Sequence, residues 1–262
     1  MLAGRRVVSL ALNVPGPVAA ARLRELGAQV TKVEPPDGDP LEASAPEWYR
    51  ELAGDDVIRL DLKGDGRARL HELLAAADLL LTAQRRSALE RLGLAWRDLH
   101  ARFPRLSQVA IVGERHSERP GHDLTYLAAR GVVTPPELPR TLAADLLGAE
   151  RAVTKSIAVL LGSEPKYLEV ALAEGAELLA APLRHGLTTA DGILGGGFPG
   201  YGLYETSDGW IAVAALEQRF RERLASLGTT REELAAKFLT RTAEEWESWA
   251  FEHDVPLTRI GA

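Results

Sequence analysis

The chain contains no cysteine. That excludes a disulfide framework, a thiol nucleophile and any cysteine-ligated metal centre. Lysine is scarce, confined to Lys32, Lys63, Lys155, Lys166 and Lys237, and arginine carries most of the positive charge. A basic surface is lacking as well: the formal net charge is −6 over 262 residues. Nucleic acid and anionic membranes are held by clustered Lys and Arg, so neither is expected as a partner. No uninterrupted apolar run approaches the roughly 20 residues that span a bilayer. The N-terminus lacks the charged, apolar and small-residue order of a signal peptide. The expected setting is therefore cytoplasmic. The first turn, Val14-Pro15-Gly16-Pro17, lacks the G-x-G-x-x-G spacing, so nothing supports a dinucleotide site.

What is present is a chain with 46% hydrophobic residues, enough to bury a large core. Residues 6–12 read as a β-strand, 18–26 as a helix closed by Gly27, and 29–33 as a second strand. Strand, tight turn, helix and strand make a βαβ unit, hence a parallel sheet. After a looser, proline-rich segment, the pattern gives a strand at 57–62, a helix at 67–77 and a short buried strand at 79–81. An arginine-bearing helix at 84–94, a helix at 96–101 and a strand at 106–112 follow. The expected fold class is α/β, a doubly wound, mostly parallel sheet, with a smaller α+β domain after it. Helices are expected at 146–161 and 168–183. A large domain would then span 1–187, a Gly-rich linker 188–197 and a small domain 198–262. The small domain opens with a hairpin turning at Ser207-Asp208-Gly209, followed by helices at 218–227, 231–237 and 243–251.

Two residues at helix mouths are candidates for chemistry. His122 stands between a Pro-Gly turn and a helix, and Asp145 follows a loop holding Pro135, Pro136 and Pro139. An imidazole and a carboxylate suit proton transfer near neutral pH. Spacing alone allows plainer roles, an N-cap for Asp145 and an ordinary loop histidine for His122. Arg85, Arg86 and Arg91 read either as a solvated helix face or as a clamp on phosphates.

The stretches GPVAAARLRELGAQVTKVEPPDGDP near the start, LDLK at 60–63, ALERLGL at 88–94, GHDLTYLAARG at 121–131 and GGGFPGYGLYETSDGWIAVAALE at 195–217 resemble the class III CoA-transferase superfamily. Within it the GHD triplet resembles the α-methylacyl-CoA racemase branch. The resemblance implies an isomerase that inverts the α-carbon of a 2-methylacyl-CoA by two-base proton transfer through an enolate. CoA is then part of the substrate, with no metal and no further cofactor. By position it implies His122, Asp145 and Glu217 as catalytic, with Glu217 pairing with the histidine. Leu60, Ala88 and Arg91 would contact CoA beside Arg85, and Tyr201 would line the cleft. The helix after Asp145, expected to begin at Leu146, would offer N–H groups to the enolate oxygen. The transferase branch implies Asp145 as a nucleophile instead, and a non-catalytic acyl-CoA-binding relative is the third reading. A homodimer is implied too. Family members run on past the point matching Ala262 to return to the large domain; that return is expected to be missing, which leaves interlocking of the dimer open.

Overall fold

Short apolar runs punctuated by Pro, Gly and Asp fold, in the computed structural model, into a parallel sheet wound from its middle outward. Residues 1–261 are described, and they divide into two units, Met1–Ala180 and a second starting at Ala181. The first unit begins with β1 (Arg6–Ser9), α1 (Pro15–Glu25), β2 (Gln29–Glu34), α2 (Pro40–Ser44), α3 (Pro46–Ala53) and β3 (Val57–Arg59). It continues with α4 (Gly66–Ala76), β4 (Leu79–Thr82), α5 (Arg86–Arg91), α6 (Trp96–Arg102) and β5 (Ser107–Val112). Last come α7 (Asp123–Ala128), α8 (Ala143–Leu160), β6 (Tyr167–Ala171) and α9 (Leu172–Leu179).

All six strands run parallel in the order β3-β2-β1-β4-β5-β6. Alternation along each strand divides the core in two. Val7, Leu79, Leu81, Val109 and Ile111 pack with α1 and α8, whose contacts come from small residues such as Ala19, Ala20, Ala149 and Ala152. Val8, Leu10 and Leu80 face the other way, onto Leu70, Leu74, Leu89 and Leu99 of α4, α5 and α6. Leu79, Leu80 and Leu81 are each fully buried, as a strand covered on both faces requires. Each such side chain stabilises the fold by about 1.5–3 kcal/mol.

Two expectations are corrected. Residues 168–171 are strand, not the start of an apolar helix: Gln108 pairs with Tyr167 and Val112 with Ala171. The parallel ladder to β5 outweighs the helical pattern that Leu168, Val170 and Leu172 suggest. Helix α8 starts at Ala143, three residues before its expected start, which takes Asp145 into the first helical turn.

The second unit holds α10 (Ala181–Arg184), β7 (Tyr201–Glu205), β8 (Trp210–Ala214), α11 (Gln218–Leu224), α12 (Arg231–Phe238), α13 (Ala243–His253) and β9 (Leu257–Arg259). Its sheet is antiparallel in the order β7-β8-β9, so the expected hairpin gains a third strand. Thr230 and Thr242 cap α12 and α13 by accepting from Glu233 N and Glu245 N. Trp246 is fully buried and donates Nε1–H to Phe238 O at 2.7 Å. Between Gly186 and Gly197 the chain makes consecutive turns, with Gly192 N bonded to Thr189 O and Gly197 N to Gly192 O.

Candidate active site

In this strand order the chain winds outward one way from β1 and the other way from β4. The loops that leave these neighbouring strands therefore diverge and open a crevice at their carboxyl ends. A cavity of about 270 Å3 lies there. Asn13 lines it after β1, Gln84 and Arg85 after β4, and Gly113 and Glu114 after β5; His122, Tyr126 and Asp145 complete its polar wall.

The loop after β1 is held from below. Asn13 has a left-handed backbone, with φ 65°, and its N–H donates to Asp39 Oδ1 at 3.0 Å. Asp39 also accepts from Lys32 Nζ at 2.7 Å and caps α2 through Leu41 N at 3.0 Å. Lys32, only 1% exposed, pairs with Glu34 as well, and Glu34 accepts from Tyr49 OH at 2.7 Å. Burial pushes the Glu34 carboxyl up, but the bonds from Lys32 and Tyr49 more than offset this and leave it below the usual carboxylate range.

His122 precedes α7. Its backbone N–H donates to Thr125 Oγ1 at 3.0 Å, which fixes the helix start and leaves the exposed imidazole at the cavity. Asp123, next in sequence, is 4% exposed. Its Oδ1 accepts from Ala144 N at 2.7 Å and Asp145 N at 3.0 Å. The residue at the N-cap of α8 is Leu142, which has no side-chain acceptor, so the cap is supplied in trans from α7. Two consequences follow. The backbone N–H groups of Ala144 and Asp145 are already taken, which removes them as donors to a substrate oxygen. Asp145 is also set beside a second carboxylate. Burial and then the Asp123 charge push its carboxyl up to about 6, against an opposing pull from His122. No side-chain hydrogen bond reaches the Asp145 carboxylate among the described residues.

Of the residues expected at a site, the structure brings His122, Asp145 and Arg85 to this cavity. Arg85 is exposed and has no salt bridge among the described residues. Arg86 also lines the cavity, but its guanidinium is held by both oxygens of Glu169 at 2.8 Å, so it is spoken for. Leu60 packs on the α4–α6 side of the sheet; Ala88 and Arg91 lie on α5, away from the cavity wall. Glu217 and Tyr201 belong to the second unit. There Glu217 precedes α11 and Tyr201 opens β7 beside a shallow depression shared with Arg231. The pattern of residues did not single out Asp123 as a cap or Tyr126 as part of the wall. The one local signal was the i, i+4 spacing from His122 to Tyr126. No group of three His, Asp or Glu among the described residues is placed to hold a metal ion, and no helix is long and apolar enough to cross a membrane.

Fold and cavity together define a doubly wound α/β protein with an imidazole and a carboxylate facing a cavity at the switch point of its sheet. Residues 2–232 match the model of CoA-transferase family III, and the chain belongs to that family. It is 32% identical over 259 residues to the alpha-methylacyl-CoA racemase of Homo sapiens, covering 89% of this chain and 66% of that protein. Over 151 residues it is 36% identical to the cinnamoyl-CoA:phenyllactate CoA-transferase of Clostridium sporogenes, covering 51% of this chain and 37% of the transferase. The chain thus spans between about a third and two thirds of these relatives. A CAIB/BAIF family protein from Brucella suis has the same fold, with a TM-score of 0.82 at 22% identity, covering all of this chain and 84% of that one.

Proposed function

We propose that the cavity binds an acyl-CoA thioester and moves the proton on its α-carbon, inverting the centre of a 2-methylacyl-CoA. The observation that carries this reading is His122 and Asp145 facing one cavity, with Asp145 pushed up to about 6. An α-proton beside a thioester is weakly acidic. A base whose pKa lies near the working pH combines availability with driving force. One of the pair removes the proton, its electrons move onto the thioester oxygen, and the other returns a proton to the opposite face. Arg85, exposed at the rim, is the group offered to the CoA phosphates.

A second reading is favoured by the free Asp145 carboxylate and the identity shared with the Clostridium sporogenes transferase. Asp145 would attack the thioester carbonyl, form a mixed anhydride and release CoA thiolate. Incubating a 2-methylacyl-CoA in deuterated buffer separates the two. Label entering the α-carbon without any acceptor acid supports proton transfer. CoA exchange that appears only when an acceptor acid is added overturns it in favour of the transferase.

A further inference from the structure

Helix α7 carries a second polar group into the cavity one turn after His122. Tyr126 is 6% exposed, and its ring packs with the α1–α8 side of the core. Its phenol end is seated between two glycines. A Cβ at Gly121 would stand 2.6 Å from the hydroxyl oxygen, and one at Gly113 would collide with it. Any larger residue at either position would displace the hydroxyl. Despite this seat, the hydroxyl has no hydrogen-bond partner among the described residues, and Tyr126 lines the cavity beside Asp145. The ring is buried but the oxygen is not sealed from solvent, so the hydroxyl is open to the cavity and free to bond a group that enters there. Burial first, then the charges of Asp145 and Glu114, raise its pKa against Arg85. The phenol therefore keeps its proton and is available as a neutral donor. Meanwhile Asp123 occupies the two α8 N–H groups that could have served a substrate oxygen.

We propose that the Tyr126 hydroxyl donates a hydrogen bond to the carbonyl oxygen of the bound thioester and stabilises the negative charge that gathers there. The proposal rests on the acyl-CoA reading of the cavity. When the α C–H bond breaks, its proton passes to His122 or Asp145 and its electron pair moves onto the carbonyl oxygen. Tyr126 keeps its own proton throughout and strengthens its bond as the charge grows, then relaxes when carbon is reprotonated.

Tyr126→Phe keeps the ring and removes only the hydroxyl. The rate of α-deuterium exchange should fall about 100-fold, as loss of one oxyanion donor does. Acyl-CoA binding should change less than about threefold, and the melting temperature should stay level, since the packed ring is kept and only a hydroxyl open to the cavity is lost. Exchange within about threefold of the unmodified chain overturns the assignment, as does a loss of binding equal to the loss of rate. Gly113→Ala provides an independent check. It should lower exchange and stability where Tyr126 is present and lose most of its stability cost in the Tyr126→Phe background, where the colliding oxygen is absent. Equal costs in both backgrounds would contradict the seat. An unmodified chain that performs neither exchange nor CoA transfer overturns the acyl-CoA reading and this assignment with it. An active chain indifferent to Tyr126→Phe overturns the assignment alone.

Discussion

Two pairs of carboxylates in the first unit, Glu34 with Asp39 and Asp123 with Asp145, differ in whether a cation stands between them. Glu34 and Asp39 share the buried Lys32, Tyr49 donates to Glu34, and Arg59 stands 3.5 Å from the other Glu34 oxygen. Asp123 and Asp145 have no such cation: Asp123 is satisfied by two backbone amides, and Asp145 is left open to the cavity. The consequences run in opposite directions. Glu34 is held below the usual carboxylate range, whereas Asp145 is pushed up to about 6. Carboxylates paired with a buried cation make a support, here for the left-handed turn at Asn13. A carboxylate left open beside a second negative charge is suited to the proposed role of base.

The largest effect should come from removing the proposed base. Asp145→Asn should lower α-proton exchange about 1,000-fold. It should also stabilise the protein. A raised carboxyl binds its proton more tightly folded than unfolded, so its contribution falls as pH rises from about 4 through about 6. At neutral pH the amide should therefore gain roughly 1 kcal/mol, after allowing for the water that reaches a half-buried group. Thermal melts at pH 7 and below pH 4 check this, the difference vanishing at the lower pH.

Breaking the other pair should act on stability instead. Lys32→Met leaves the buried Asp39 without its cation and Glu34 with only the half-exposed Arg59, a loss of about 3–5 kcal/mol. That lowers the melting temperature by roughly 10 °C. The lowered pKa of Glu34 gives stability that is present above the ordinary carboxylate range and lost as pH falls. The gap between the two proteins should therefore be full at neutral pH and close on acidification. A constant gap would mean that packing around Lys32, not its charge, is what matters.

The smallest effect is expected at the rim. Arg85→Ala should weaken acyl-CoA binding about threefold to tenfold, the scale of one exposed charge contact, and leave the exchange rate at saturation unchanged. Unaltered affinity in a titration would remove Arg85 from the CoA path.

Much of this arrangement was legible in the residues. Pro15 at the start of α1, Gly27 after it and the run Leu79–Leu81 mark the wound sheet locally, although the helix starts at Pro15 rather than at Val18 as expected. His122 and Asp145 stand out by type and place. What stayed hidden depends on contacts between distant residues. Strand β6 flows into α9 with no turn residue between them, and only its pairing with β5 makes it a strand. The start of α8 was placed too late because aspartate is a favoured cap. Its cap is Asp123, 22 residues from Asp145, and no local pattern reports that. The same contact puts the second negative charge beside Asp145, so the feature that tunes the site was also the least visible.

The most direct test is a carbon-13 NMR titration of the aspartate carboxyls, with the Asp145 resonance assigned by its loss in Asp145→Asn. A midpoint of about 6 is expected. It should move down when Asp123→Asn removes the neighbouring charge while keeping an oxygen for the two amides. A midpoint near the ordinary aspartate value of about 4, unmoved by Asp123→Asn, would contradict an uncompensated carboxylate poised for proton transfer.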